Sequence, residues 1–148
     1  MEQTQKIRTW YNKFIQDAPD EINGFIATMI IPGPPFPEAL HIKQFRGIIG
    51  CYAGDEKKAE ELFKPIVELE PVFAHVGTMP YPANQTLLNG LFPPGLQWYR
   101  RADFFNDLGP DASAKHLKFG SKIPTPLSQM RLYPISGAAG RVANDATP

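Results

Sequence analysis

Alternating polar and apolar residues near the C-terminus form the pattern most suited to chemistry. Between Gln129 and Tyr133 the polar residues alternate with Met130 and Leu132, which is the period of a β-strand. Gln129, Arg131 and Tyr133 therefore share one strand face, and we expect the opposite face to pack on helices. An amide, a cation and a phenol on one face could orient the polar groups of a small molecule.

A second polar strand face is predicted within residues 96–103. Tyr99, Arg101 and Asp103 would lie together on it, because side chains two positions apart in a strand point to the same side. The division is less clean here, since Arg100 lies on the opposite face. Each pattern is also typical of an ordinary solvated surface, so the residues alone leave a binding site and a wet strand face as alternatives.

Metal and thiol chemistry are not indicated by the sequence. His41, His75 and His116 lie in three different elements without metal-ligand spacing, which favours surface or loop positions. Cys51 is the single cysteine, and its apolar neighbours predict a small buried residue. The segment 137–140 lacks the lysine and the following helix of a phosphate-binding loop, and we expect a tight turn into a strand.

Composition limits the class of protein. A chain of 148 residues suits one domain, covering residues 1–148, with a substantial core. The 15 basic and 15 acidic side chains cancel, and no basic block could follow a phosphate backbone, so no nucleic-acid partner is expected. No apolar run approaches the roughly 20 residues that span a bilayer, and no signal-peptide pattern begins the chain. We expect a cytoplasmic protein without a membrane partner.

Hydrophobic periodicity predicts the helices. An amphipathic helix is expected before Pro19, and a second after Asp55, whose side chain suits the N-cap. Tyr81 and Gln85 would share one face of a third helix, and residues 111–119 form a weaker helical pattern.

Strands are predicted at more places than helices. They are expected at residues 25–31, 44–53, 71–77, 96–103, 128–135 and 138–142. This balance predicts an α+β fold, an antiparallel β-sheet with helices covering one face.

Five spaced signatures resemble the substrate-binding half of an FAD-linked oxidase. In chain order they are Tyr52-Ala53-Gly54-Asp55, Met79-Pro80-Tyr81 with Gln85, Pro94-Gly95 followed by Tyr99-Arg100-Arg101-Ala102-Asp103-Phe104, Pro126-Leu127-Ser128, and Gly137-Ala138-Ala139-Gly140-Arg141-Val142. Their order is similar to that in the bacterial branch of the berberine-bridge-enzyme-like oxidoreductases. The likeness covers roughly residues 10 to 147.

The resemblance implies a protein that works with a second part. In that family a flavin-binding domain precedes this region and a short flavin-contacting segment follows it, and neither matches this chain. The polar sheet face would lie against the flavin ring, with a small-molecule substrate between them. The implied cofactor of the complete protein is FAD, supplied by a flavin-binding domain that is missing or on another chain. No FAD is expected to bind to this chain alone.

The resemblance also implies roles for individual residues. Those assigned to catalysis are Tyr99, Arg101, Tyr133 and Arg141, and those assigned to substrate binding are Gln129, Arg131, Asp103, Tyr81 and Gln85. Arg141 stands where plant members place a catalytic glutamate, and a guanidinium stays protonated, so it cannot be the base. Tyr133 and Tyr99 are the candidates left for that role. Arg100 and Ala102 replace the tryptophan and serine of the family signature.

Three hypotheses of function follow. The first is a substrate-binding domain or fragment of an FAD-dependent oxidoreductase that oxidises an alcohol, sugar or secondary metabolite by hydride transfer to flavin. The second is a stand-alone binding or oligomerisation module that has lost this chemistry. A third is a separate small α+β enzyme, for which the sequence offers no nucleophile and base pair. A homo-oligomer is expected, because a sheet face that carries Tyr99 and Tyr133 would otherwise stay bare.

Overall fold

The computed structural model describes residues 2–34, 36–105, 109–143 and 145–146. In chain order their main elements are α1 (Glu2–Asp17), β1 (Ile22–Ile30), β2 (Gln44–Tyr52), α2 (Glu56–Val67), α3 (Tyr81–Thr86), α4 (Pro110–Gly120), β3 (Gln129–Leu132) and α5 (Gly137–Gly140), with 3-10 turns at Glu38–Leu40 and Asn89–Leu91. The strands form an antiparallel sheet in the order β2, β1, β3. The predicted α+β fold is therefore confirmed.

The pairing of β1 with β2 follows one register. The Ile31 N–H donates to the Lys43 carbonyl at 3.0 Å, and the Ala53 N–H donates to the Glu21 carbonyl at 3.0 Å. Both bonds, at opposite ends of the pair, fit a register in which Gly24 lies opposite Gly50. Odd-numbered residues of β2 therefore bond to odd-numbered residues of β1.

The chain divides into two compact units. The first consists of Met1–Ala27, Arg46–Thr78 and Arg131–Pro148. Inside it, side chains of α1 and α2 and residues of β1 and β2 surround a small apolar cavity, lined by Tyr11, Phe14, Ile22, Asn23, Gly24, Ile48, Gly50, Phe63 and Ile66. The Tyr11 hydroxyl donates to the Gly24 carbonyl at 3.0 Å. Even-numbered residues of both strands thus face α1 and α2.

Residues 56–67 form α2 because Asp55 caps them, as predicted. The Asp55 carboxylate accepts hydrogen bonds from the backbone N–H groups of Lys57 at 2.9 Å and Lys58 at 3.4 Å. These bonds satisfy two of the N–H groups that lack a partner within the first turn. Pro65 lies inside the helix, two residues before its end.

The second unit consists of Thr28–Phe45 and Met79–Met130. Its helix α4 ends against the sheet, where the Gln44 side-chain amide donates to the Gly120 carbonyl. A Cβ atom at Gly120 would lie 3.4 Å from Thr28 Cγ2 and 3.7 Å from Met130 Sδ. Even-numbered strand residues therefore face a helix in this unit as well.

The other sheet face in the second unit is covered by the loop that follows β1. The Phe36 ring of this loop lies 5.6 Å from the Phe45 ring of β2, measured between centroids. Met29, also odd-numbered, is 1% exposed. Phe45 therefore does not lie on an open strand face.

The buried apolar residues concentrate on the middle strand. They are Tyr11, Ile22, Ile26, Ala27, Met29 and Ile31. All but Tyr11 belong to β1 or directly follow it. Neighbouring strands on both sides and covered faces explain why β1 forms the centre of the core.

Three predicted strands are wrong. Residues 71–77 and 96–103 are exposed and have no regular structure, and residues 138–142 include the short helix α5 in place of a strand. Exposed segments with nearby prolines and glycines gain little from sheet pairing, because no partner strand buries their side chains. Within the described part of the chain, helices outnumber strands, contrary to the prediction.

The remaining predicted elements are confirmed, with shifted ends. The helix before Pro19, the helix after Asp55, the third helix at Tyr81 and the helix at 111–119 all form, as do the strands at 25–31 and 44–53. The strand predicted at 128–135 shortens to Gln129–Leu132.

Cys51 is exposed, so its predicted burial is wrong. It lies next to the end of β2, which has a strand neighbour on one side only. An edge strand buries less of each residue than a central strand, and an apolar run in the sequence does not reveal which strand is at the edge.

We expect Gly24→Ala to destabilise the protein and Gly50→Ala to stabilise it. A Cβ atom at Gly24 would lie 2.5 Å from the backbone oxygen of Ile49, so β2 would have to shift, at a cost of about 1–3 kcal/mol. At Gly50 the nearest atoms would be 3.6 and 3.7 Å away, and reduced freedom of the unfolded chain should add about 0.4–1 kcal/mol. Urea unfolding measures the free energy of unfolding of both variants. Equal changes in the two variants would contradict the register of β1 and β2.

Candidate functional site

Arg131, Tyr133 and Phe25 form a compact cluster in the first unit. The Arg131 Nη1 donates to the Tyr133 hydroxyl oxygen at 2.8 Å, and the Arg131 Cζ lies 4.8 Å from the centroid of the Phe25 ring. The rings of Phe25 and Tyr133 are 4.8 Å apart between centroids. We call these three residues the aryl–guanidinium cluster.

The cluster lies on the sheet face opposite the helices. Phe25 lies on β1, Arg131 lies on β3, and Tyr133 directly follows β3. All three are odd-numbered, whereas the even-numbered Ile22 and Gly24 face α1 and α2. The expectation that Arg131 and Tyr133 share a face, and that Met130 packs on a helix, agrees with these contacts.

Stacking and hydrogen bonding hold the cluster in one arrangement. The Phe25 ring faces the guanidinium, a contact that contributes about 0.5–1 kcal/mol at an exposed site, and the phenol of Tyr133 limits its rotation. Tyr133 itself is 57% exposed. The site therefore offers a fixed cation and an accessible phenol.

The direction of the hydrogen bond decides what the phenol can bind. Because the Tyr133 oxygen accepts from Arg131, its own O–H can donate to an oxygen of a bound molecule. The nearby cation favours negative charge on that oxygen. This arrangement can bind and polarise an oxygen-bearing ligand, and Arg131 cannot act as a base.

Arg141 is held by an ion pair. Its Nη2 lies 2.8 Å from Asp20 Oδ2, with both side chains more than half exposed. Arg141 is the C-cap of α5, so its predicted position on a strand is wrong. The hydrogen bond and the positive charge of Arg141 lower the pKa of Asp20, and Asp20 in turn raises the pKa of Arg141.

We expect Arg141→Ala to cause a small, pH-dependent loss of stability. The folded pKa of Asp20 is depressed, so the pair stabilises the fold above the unfolded pKa of about 3.9, and this contribution disappears as the pH falls through the folded pKa. Thermal melts at several pH values and salt concentrations check this. The wild-type and variant midpoints should converge at low pH and at high salt, and a gap that persists there would contradict an ion-pair role.

Three predicted site residues lie in an irregular segment of the second unit. Tyr99 is 89% exposed, and Arg101 and Asp103 are also exposed. The Asp103 carboxylate accepts from the backbone N–H of Phe104 at 2.9 Å. Their roles remain predictions, but the shared strand face that joined them is absent.

The other three predicted residues also belong to the second unit. Tyr81 and Gln85 are exposed residues of α3, and Gln129 is a half-buried residue of β3. The structure thus brings together Arg131 and Tyr133 among the nine predicted residues.

Phe25 and Asp20 were missed by the sequence reasoning. Each acts through a partner more than 100 positions away, Arg131 for Phe25 and Arg141 for Asp20. Phe25, Arg131 and Tyr133 are all odd-numbered. This pattern could indicate a shared sheet face only if β1 and β3 were already known to be neighbouring strands.

Among the described residues, no group of three or more His, Cys, Asp or Glu side chains is arranged to hold a metal ion. No helix in that part of the chain is long and apolar enough to span a membrane. Comparison with family models finds no match to this chain, and comparison with curated proteins finds no significant match.

Proposed function

We propose that this chain is the substrate-binding domain, or a fragment, of an FAD-dependent oxidoreductase that oxidises an alcohol, a sugar or a secondary metabolite. The flavin-binding domain would be supplied by another chain or by a segment beyond this sequence. The observation that carries the proposal is the aryl–guanidinium cluster, which lies on the sheet face opposite α1 and α2 in the first unit. The order of sequence signatures adds to it.

The cluster suits the substrate side of a flavin. It presents a cation, a phenol and an aromatic ring in contact with one another, which are groups that can bind a hydroxylated substrate beside a planar ring. When bound, FAD would accept a hydride from the substrate carbon and later pass the electrons to O2. The residues of this chain would bind and orient the substrate.

Tyr133 and Arg131 have distinct roles in this proposal. The Tyr133 O–H would donate to the substrate oxygen and fix its position. The substrate hydroxyl proton would pass to solvent water as the hydride leaves, and Arg131 would stabilise the negative charge that develops on that oxygen, because a preorganised cation stabilises developing charge. Phe25 would keep the guanidinium in place.

A binding experiment with the flavin-binding half of a bacterial berberine-bridge-enzyme-like oxidase tests the proposal. This half is produced separately with its FAD and mixed with the purified chain, and gel filtration follows the flavin absorbance. We expect a one-to-one complex with an altered visible flavin spectrum.

Two variants make that experiment specific. Arg131→Glu should weaken the complex because it reverses the charge of the cluster, whereas Lys64→Ala on α2 should leave it unchanged. Separate elution of the two proteins at every soluble concentration would contradict the proposal and favour a stand-alone module.

A further inference from the structure

We propose that the Arg100–Arg101 pair is a cleavage site for endoproteases that recognise arginine, and that the two fragments stay associated after cleavage. Water would supply its OH group to the Arg101 carbonyl carbon and its remaining hydrogen to the Ala102 nitrogen, as the C–N bond between them breaks. The products are a carboxylate on Arg101 and an α-amino group on Ala102. This inference is independent of the proposed oxidase chemistry.

The arginine pair lies in an exposed stretch of irregular backbone. Residues 94–105 are all exposed, and residues 97–105 have no regular secondary structure. Tyr99 is 89% exposed and Phe104 is 82% exposed, on either side of the pair. A protease needs accessible backbone on both sides of the bond that it cuts, so such segments are cut before helices and strands.

Two contacts of this stretch join residues that are close in sequence. The Trp98 ring lies 5.4 Å from the Phe92 ring, measured between centroids, and the Asp103 carboxylate accepts from the backbone N–H of Phe104 at 2.9 Å. Neither contact ties the arginine pair to a helix or a strand. The backbone at the pair can therefore enter a protease cleft without opening the sheet.

The two arginines distinguish this stretch from other accessible positions. Trypsin-like proteases hold a basic side chain with an aspartate in their specificity pocket. The irregular segment at residues 71–80 contains no lysine or arginine. Lys57, Lys58 and Lys64 belong to α2, and cleavage there requires local unfolding of the helix.

Contacts within both compact units would hold the fragments together. In the second unit, the Gln44 side-chain amide donates to the Gly120 carbonyl. In the first unit, Arg141 Nη2 lies 2.8 Å from Asp20 Oδ2. Strand β3 also pairs with β1. Each of these contacts joins a residue or strand before the cut to one after it.

The aryl–guanidinium cluster is itself shared between the fragments. Phe25 precedes the cut, whereas Arg131 and Tyr133 follow it, and all three are in contact. The cleaved protein therefore retains the cluster as long as the fragments stay associated.

Limited digestion with trypsin tests the site. At a low ratio of protease to protein, the first cut should fall after Arg100 or Arg101, as identified from the masses of the fragments. The double substitution Arg100→Gln and Arg101→Gln should abolish this cut and retain the wild-type circular dichroism spectrum. Lys122→Gln, in the turn after α4, should leave the cut unchanged. A first cut elsewhere in the wild type, or equally rapid loss of the intact chain in the double variant, would overturn the proposal.

Gel filtration of the cleaved protein tests the association of the fragments. The two fragments should elute together, at the volume of the intact chain, in buffer, and should elute separately in urea. Separate elution in buffer would overturn this part of the proposal. The measurement uses no flavin, so its outcome does not depend on the proposed oxidase function.

Discussion

Tyr11→Ala is expected to destabilise the protein by about 3–5 kcal/mol, the largest effect of any substitution considered. Tyr11 is 5% exposed and packs in the first unit among residues of α1, β1, β2 and α2 that line a small cavity. Removing its ring would enlarge that cavity. It would also leave the Gly24 carbonyl without the phenol that donates to it. Chemical denaturation measures the loss.

Tyr11→Phe separates the hydroxyl from the ring. This variant should lose about 1 kcal/mol, since only the hydrogen bond is removed. Burial raises the pKa of Tyr11 to about 12, above the unfolded value of about 10. The neutral phenol therefore stabilises the fold fully below about pH 10, and this contribution is lost as the pH rises towards 12. Stability of the phenylalanine variant should fall less over that range. A wild-type stability for Tyr11→Ala would contradict the packing of α1.

Arg131→Ala is expected to lower kcat by about 30-fold once the chain works with a flavin-binding half, corresponding to about 2 kcal/mol of lost transition-state stabilisation. The reason is the loss of the cation beside the substrate oxygen. The thermal midpoint should change little, because truncating a side chain at a sheet surface usually changes stability by under about 1 kcal/mol. Steady-state turnover and thermal melts of the same preparation measure both.

The controls separate a role in turnover from a role in folding. Tyr133→Phe retains the ring and should also lower kcat, whereas Lys64→Ala removes a cation from α2 and should not. Arg101→Ala and Arg141→Ala test the remaining predicted cations, which should lower turnover if they reach the substrate. Unfolding of Arg131→Ala, together with normal turnover of Tyr133→Phe, would show that the aryl–guanidinium cluster is structural.

Local patterns predicted much of the fold. The alternation from Gln129 to Tyr133 placed Met130 on the helix side and Arg131 on the other, and contacts with Gly120 and Phe25 agree. The Asp55 cap was likewise visible, because capping depends on residues two or three positions away. Such features need no knowledge of distant partners.

Features that depend on distant pairing could not be predicted. Residues 96–103 have the composition of a strand, but they are exposed and do not belong to the three strands of the described sheet. Asp20 and Arg141 meet across 121 positions, and Phe25 reaches Arg131 only because β1 lies beside β3. The sequence therefore predicted Arg131 and Tyr133 of the aryl–guanidinium cluster, but not Phe25 on the neighbouring strand β1.

Anaerobic flavin reduction measures the proposed role most directly. The separately produced FAD-binding half is mixed with a panel of alcohols and sugars, with and without this chain, and the loss of flavin absorbance is followed in a stopped-flow instrument. We expect rapid bleaching by at least one substrate only when the chain is present, and slower bleaching with Arg131→Ala. A flavin that stays oxidised with every substrate, although the two proteins form a complex, would contradict it.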